Sequence, residues 1–535
     1  MTVLTRTATL RRRTKFDLPA PPTDDEKYWY MGRQHRWILW VQAVALFLVV
    51  FSLTRFALTE PAMWIFLVPA SLYMLTAAVS LTSGTRKKRT SRIDHELRVL
   101  EYAPEHYPSV DVFLPTAGES LDVLANTYAH VAALDWPGKI KVWVLDDAAR
   151  PAVGNLARSY GFEYRVRPDR GHLKKAGNLK FGYDLSHGDH IAIFDADFVP
   201  RPDYLHELIP YFSDEGAGIV QSPQFFDSRR GMPWLQRCAG ATQELFYRWI
   251  QPGRDRSQAA ICVGTCAIYR RRALDAAGGF AQIGHSEDVH TGVKLMQAGY
   301  ELRYVPILVS KGLCPDTLLG FLTQQYRWCT GSMSLLTNRR FHAHPALNLR
   351  QRLCFWAGFL YYISTAVNII IAPIPGLVML WVFPEFIFPR NTVWLLGALV
   401  LWYFVLPTVM RSHWRLDVLR IQQLYSFAHA VAIAHILTGR TREWVPTGSA
   451  NTKKTSTAIT VTRMMRVTVT ITQAAVWSGI VSATAAHGIG NTWAMVCFGL
   501  ISSYIQLPLL LLRTSSKDAV SQDRSETRAS VLDAA

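Results

Sequence analysis

Six apolar stretches without a charged residue limit what this chain can fold into: 37–53, 62–82, 353–383, 393–410, 467–486 and 492–512. A helix needs about 20 mostly apolar residues to cross a bilayer, and each stretch is of that order. The first two are separated by a few residues around Glu60 and Pro61 and read as a transmembrane hairpin. Pro373 and Pro375 fall inside the third, where proline is tolerated as a kink. The last two are joined by a short uncharged turn at 487–491. Polar, arginine-rich sequence precedes the first stretch and a second stretch follows it, which excludes a cleaved secretory signal.

Six spans put both termini on one side of the membrane. Basic residues at 11–13, 86–89, 411–420, 453–454 and 513 all fall on that side, and the positive-inside rule makes it cytoplasmic. The expectation is a multi-pass protein of the inner (plasma) membrane with a cytoplasmic catalytic domain. Segment 416–437 is apolar at helical spacing but carries Asp417, Arg420, His429 and His435. It reads as an amphipathic helix in the cytoplasmic interface rather than a seventh span, which would move the C-terminus to the other side.

Composition agrees. Half of the residues are hydrophobic and 18% are charged, against about a quarter charged in soluble domains. The 57 basic and 40 acidic residues leave +17, which orientation and contact with anionic lipid account for without a nucleic-acid partner. Seven cysteines with no CxxC pair or Cys/His cluster point away from a disulfide framework or a zinc site, and toward a reducing compartment.

Between the second and third stretches lie about 250 residues of different texture, enough for one α/β domain. Runs at 110–114, 142–145, 191–194, 219–221 and 262–269 read as strands, with helix-period segments such as 121–134 between them. Such alternation implies a mostly parallel sheet, whose ligands collect beyond the carboxyl ends of the strands. Asp146 and Asp147 follow one strand there, and Asp195 and Asp197 follow another.

Each polar motif has two readings. The Asp195-Ala196-Asp197 triplet puts two carboxylates on one side of an extended segment, where both can approach a hard divalent cation that also bridges a diphosphate; a DxD also arises about once by chance in a chain of this length. Asp146 and Asp147 can accept from a base or ribose, or cap the next helix. His172, Lys174 and Lys175 precede Gly177-Asn178 at an apparent helix start, which suits phosphate or a solvated basic turn. In Ser286-Glu287-Asp288 a carboxylate can deprotonate a hydroxyl, or the serine can cap a helix with acid in its first turn. In Gln324-Gln325-Tyr326-Arg327-Trp328, arginine suits phosphate and tryptophan the face of a sugar, or both anchor at the membrane surface.

In this order and between membrane stretches, the motifs DD, KAGN, DAD, SED and QQYRW resemble the processive family 2 glycosyltransferases, particularly bacterial cellulose synthases and cellulose synthase-like proteins. QQYRW is similar to their Q(Q/R)xRW motif, and the resemblance covers residues 110–328 and the layout of the flanking helices. It implies an α/β GT-A (Rossmann-like) cytoplasmic domain inserted in an α-helical transmembrane domain of about six helices with interfacial amphipathic helices. It makes Asp146, Asp147, Lys175, Asp195, Asp197, Gln324 and Arg327 contacts of a UDP-sugar, most readily UDP-glucose, with Asp195 and Asp197 also holding Mg²⁺ or Mn²⁺. Asp288 becomes the general base, and Trp328, Glu287 and Cys266, in the loop GTC, lie at the acceptor. The implied partners are a growing polysaccharide, the lipid bilayer and accessory secretion or envelope proteins.

Two departures accompany the resemblance. Ser286 stands where cellulose synthases have threonine, and Trp444-Val445-Pro446-Thr447-Gly448 replaces an FxVTxK-type gating loop. No sequence remains for a C-terminal cyclic-dinucleotide-binding domain, so regulation by cyclic-di-GMP in cis is not expected and cellulose as the product stays open. Synthases of hyaluronan-like, chitin-like, β-1,3 or mixed-linkage polymers share the motifs, and a nucleotide-binding membrane transporter or scaffold is the non-enzymatic alternative. The expected plan is an N-terminal cytoplasmic segment (1–36), a transmembrane hairpin (37–85), the glycosyltransferase domain (86–340), two spans (341–415), an interfacial helix with a gating-like loop (416–466), a second hairpin (467–513) and a disordered tail (514–535). The first 30 residues are expected to be disordered as well.

Overall fold

The computed structural model describes residues 18–31, 37–68, 89–227, 234–405, 417–440 and 456–512, with a few single positions between them. Strands β1 (Val110–Thr116), β2 (Ile140–Asp146), β3 (Glu163–Arg165), β4 (His190–Ile193), β6 (Ala217–Gln221), β8 (Ala267–Arg270) and β9 (Glu301–Tyr304) form a seven-stranded sheet in the order β3-β2-β1-β4-β8-β6-β9. All of β1 and β4 is buried, as continuous apolar runs covered on both faces require. One face packs Phe113, Leu145, Ile191 and Tyr269, and the other packs Val112, Val144, Ala192 and Ile268.

The sheet is mixed, because β8 runs antiparallel to both β4 and β6. The strand expected at 262–269 is therefore shorter: only Ala267–Arg270 pairs, and 262–266 is a loop in which Gly264 (φ +74) and Cys266 (φ 54) turn the chain. Antiparallel pairing of Ile193 with Ala267 carries this loop past the carboxyl end of β4, beside Asp195. A small second sheet, β5 (Val199–Pro200), β10 (Ser310–Gly312) and β7 (Phe225–Phe226), in the order β5-β10-β7, braces the chain just after Asp197.

Residues 18–31 correct the expectation of a disordered N-terminus. Thr23 and Glu26 close a capping box around a short helix, Asp24–Lys27. Lys27 Nζ then donates to Glu207 (2.5 Å) and Asp203 (2.8 Å), Arg201 reaches Asp24 (2.7 Å), and Lys311 of β10 reaches Glu26 (2.9 Å). Tyr30 is buried in the main core. Composition alone misses this segment because its order comes from charges 170 or more positions away.

Four helices among the described residues are long and apolar enough to cross a membrane: Trp40–Thr59, Leu349–Trp381, Thr457–His487 and Ile489–Leu510. The second is interrupted at Pro373, as its prolines predict. Much of the expected span 62–82 and the end of 393–410 lie outside the described residues, as do the gating-like segment 444–448 and the tail. Helix Asp417–Leu437 forms, and its Val418, Ile421, Leu424, Phe427, Ala428, Val431 and Ala432 are buried in the same core as the sheet. It joins the α/β domain to the apolar helices.

Lys27→Met removes one cation from the buried Glu207 and the half-buried Asp203, and loss of such charged hydrogen bonds costs about 1.5–3 kcal/mol. Thermal unfolding of the full chain in detergent should show a lower midpoint. The Asp203 and Glu207 carboxyls sit below their usual range: burial opposes this, but hydrogen bonds from Arg201, His95 and Lys27 outweigh it. Their contribution is present above the unfolded carboxyl pKa and is lost as pH falls, so the gap between Lys27→Met and the parent should narrow in acid.

Candidate functional site

The carboxyl ends of β1, β2 and β4 bring the first acidic groups together. Asp146 is fully buried and accepts from Thr116 Oγ1 (3.2 Å), the Ala148 and Arg150 amides (2.9 and 2.8 Å) and the Tyr164 hydroxyl (3.0 Å). Its oxygens are engaged by protein, so it shapes the turn after β2. Asp147 receives a two-pronged hydrogen bond from Arg167, Nε at 2.6 Å and Nη2 at 2.8 Å, and a third from the Gly171 amide (3.3 Å). Arg167 is itself buried and also donates to the Lys174 carbonyl, so it fastens the Asp147 turn to the basic segment.

That segment begins a helix earlier than expected. Lys174–Leu185 is helical, which puts Lys174 and Lys175 in its first turn, with Leu173 (φ 51) at the cap and His172 exposed outside. A Cβ on Gly177 would stand 2.4 Å from Arg167 Nη1 and from the His172 carbonyl, so only glycine lets the helix sit here. Asn178 donates to the Leu145 carbonyl (2.7 Å) and locks the helix to β2. Lys175 Nζ is thereby aimed across the strand ends, where it donates to Asp195 and to the Gly264 carbonyl (2.8 Å) and lies 4.0 Å from Glu287. Burial would lower the Lys175 pKa, but Asp195, Glu287 and Asp288 hold it above the usual lysine value.

Two buried threonines fix the DAD backbone: the Asp195 amide donates to Thr265 Oγ1 (2.9 Å), and Thr127 Oγ1 donates to the Ala196 carbonyl (2.7 Å). Asp197 is pushed up to about 7, by burial first and by the Asp195 charge second. Two carboxylates that cannot comfortably ionise together fit a hard divalent cation. The described residues contain no cluster of three or more His, Cys, Asp or Glu side chains that could hold a metal ion, so the remaining oxygen ligands would have to come from a bound diphosphate or water.

Asp288 opens the helix Glu287–Gln297 and comes against the same loop: a Cβ on Gly264 would lie 2.9 Å from Asp288 Cβ and 3.0 Å from its Oδ2. Burial raises the Asp288 carboxyl, Glu287 raises it further, Lys175 and Arg327 pull it down, and it stands at about 7. The helix Leu318–Leu336 carries Gln324, Arg327 and Trp328, all half-buried and spaced to share one face, while Gln325 and Tyr326 point into protein. Tyr326 bonds His435 of the Asp417–Leu437 helix (2.9 Å). Farther along, Gly331 meets Ser286, whose Oγ would be 1.6 Å from an added Cβ, and Ser334 bonds His290 (2.9 Å). The turn that carries Asp288, with Ser286 at φ 52, is thus docked directly on the QQYRW helix.

Among the expected residues, Lys175, Asp195, Asp197, Glu287 and Asp288 meet in one place, linked to Arg327 by charge. Cys266, in the GTC loop itself, has a fully buried side chain, and burial pushes its thiol up to about 12. Sequence reading missed Thr127, Thr265, Arg167, Gly331 and Glu119. Glu119 follows β1, accepts from the Ala117 amide (2.8 Å) and shares the field of Asp195. Its place after a strand was the one available signal; nothing in the local sequence sets the others apart until the fold brings them in.

Residues 190–410 match the family described as Glycosyl transferase family group 2. The chain is similar to the cellulose synthase 1 catalytic subunit of Komagataeibacter xylinus, 34% identical over 259 residues, covering 47% of this chain and 34% of that protein. It is similar to the cellulose synthase catalytic subunit of Pseudomonas fluorescens, 32% identical over 319 residues, covering 58% of this chain and 42% of that protein. The chain thus spans less than half the length of these curated relatives. In fold it is similar to a mannosyltransferase from Pyrobaculum calidifontis solved with GDP-mannose and Mn²⁺, at 16% identity and a TM-score of 0.50, covering 70% of this chain and 99% of that one.

Gly331→Ala tests the docking. Alanine favours an isolated helix over glycine by about 1 kcal/mol, yet here its Cβ overlaps Ser286 and must displace the backbone that carries Asp288. Under the function proposed below, activity should fall by an order of magnitude or more while far-UV helicity is retained.

Proposed function

We propose that this chain, cellulose synthase-like in sequence and with a family 2 glycosyltransferase region, is a membrane-embedded, processive, inverting glycosyltransferase. It transfers glucose from UDP-glucose to the non-reducing end of a growing β-glucan such as cellulose, and passes the polymer across the membrane from a cytoplasmic catalytic domain. The observation that carries this reading is Asp288, a carboxyl at about 7, held between the Gly264 loop and the helix bearing Gln324, Arg327 and Trp328.

In the reaction the acceptor hydroxyl oxygen attacks the anomeric carbon as its proton passes to Asp288. The bond from that carbon to the diphosphate oxygen breaks, and UDP leaves with the electron pair. A carboxyl near 7 suits this task, since a base works best with a pKa close to ambient pH. Lys175 and Arg327 meet the charge of the departing diphosphate. Asp195 and Asp197 would hold Mg²⁺ or Mn²⁺, which neutralises diphosphate charge when bound. Asp147 with Arg167, and Asp146 through the turn it braces, shape the nucleotide end; Gln324 holds the nucleotide, and Trp328 with Glu287 lines the acceptor end.

Asp288→Asn should lower turnover by about 10²–10⁴-fold, the contribution of a positioned base, while UDP binding persists; unchanged polymer synthesis contradicts the assignment. In the parent, kcat/KM should rise with pH through about 7, because the base must be deprotonated, and that acid limb should vanish in Asp288→Asn.

Asp195→Ala should weaken metal-dependent UDP binding, measured by calorimetry with and without EDTA. Metal dependence unchanged from the parent would make the triplet a structural element only.

A further inference from the structure

The helix Arg92–Glu101 follows the second apolar stretch by about ten residues. Its inner face is committed to the domain: His95 is fully buried against Tyr211 (2.8 Å) and Glu207 (2.6 Å), Arg92 lies over the Tyr28 ring, and Arg98 lies over the Tyr211 ring. Its outer face carries an apolar stripe, flanked by the exposed Glu96 and Glu101. Ile93, Leu97 and Leu100, at i, i+4 and i+7, are 69%, 47% and 81% exposed. Three large aliphatic side chains in one stripe on so short a helix are not the scattered surface apolars of an ordinary domain.

We propose that this stripe lies in the cytoplasmic leaflet, with anionic lipid as its partner, and seats the α/β domain on the membrane. Position argues for it. Arg89, just before the helix, makes a two-pronged bond to Glu301 (2.9 and 3.0 Å). Glu301 also accepts from Gln258 (2.8 Å), and the Gln258 carbonyl accepts from Gln351 in the first turn of the span Leu349–Trp381. The start of the exposed helix is therefore tied, through three consecutive contacts, to the foot of a membrane helix. Charge argues for it as well: Arg86, Lys87 and Lys88 immediately precede Arg89 in the sequence, the polybasic-plus-apolar combination that binds anionic leaflets. Of the helix's three acids, Asp94 and Glu96 are engaged by the Ser91 cap and by Arg92, and Glu101 lies exposed at its end.

The inference rests on the membrane reading of the apolar helices, and the test separates the two. The full-length chain, with the half-buried Cys354 and Cys497 replaced by alanine, carries a nitroxide in turn at Ile93→Cys, Leu97→Cys, Leu100→Cys, Glu96→Cys and Val481→Cys. Val481 is 66% exposed on the helix Ser456–His487 and reports the bilayer itself. In nanodiscs of phosphatidylcholine with phosphatidylserine, collision with oxygen at 93, 97 and 100 should be severalfold above that at 96 and comparable with 481, while a water-soluble nickel chelate should reach 96 alone. Omitting phosphatidylserine should shift the three sites toward water. Chelate access at 93, 97 and 100 with 481 still in lipid overturns the proposal. So does shielding of the three from both reagents, which would mean that another segment or a second copy covers the stripe. Chelate access at 481 would overturn the membrane reading as well.

Discussion

One ammonium group governs the site. Lys175 stands among Asp195, Asp197, Glu287 and Asp288, bonded to the first and to the Gly264 carbonyl. Four carboxylates gathered at the ends of strands repel one another, and burial makes each charge more costly. Burial first, and a neighbouring carboxylate second, leave both Asp197 and Asp288 near 7 despite Lys175. A site left short of positive charge is suited to a divalent cation beside Asp195 and to a proton on Asp288. The remainder of the domain holds this balance in place. Arg167 fastens the turn that delivers Lys175, two threonines hold the DAD backbone, and Gly331 admits the turn that delivers Asp288.

The α/β texture and the acidic strand ends were legible because they depend on local pattern. β1, β2, β4 and β6 fall within a few residues of their expected positions, since buried strands are continuous apolar runs. What was not legible depends on pairing between distant positions. Antiparallel β8 turned half of the expected strand 262–269 into the loop that touches Lys175 and Asp288, and no periodicity within the run announces a reversed neighbour. Residues 18–31 read as disordered because their partners, Asp203, Glu207 and Lys311, lie far along the chain. Asp146 stood at a strand end like Asp195, and only the fold shows that its oxygens are taken up by four protein partners.

The same logic connects the site to the apolar helices. The helix bearing QQYRW is clasped on one side by Ser286 and His290 and on the other by the helix Asp417–Leu437, through Tyr326 and His435. Asp417–Leu437 in turn contacts the helices Leu349–Ile371, Ser456–His487 and Ile489–Leu510. Arg254 extends the contact from the domain to the Cys354 carbonyl. A chain of packed helices therefore leads from the turn that carries Asp288 to the candidate spans, so that under the proposed function the site and the apolar helices share one frame.

The most direct test of the account is incorporation of radiolabelled sugar into insoluble polymer by membranes containing the full chain, comparing UDP-glucose, UDP-N-acetylglucosamine and UDP-glucuronate with Mg²⁺ or Mn²⁺ and with EDTA. The account predicts label from UDP-glucose alone, in a product that β-glucanase releases, and its loss with EDTA. Label from an amino-sugar or uronate donor, or none from any of the three, would contradict it.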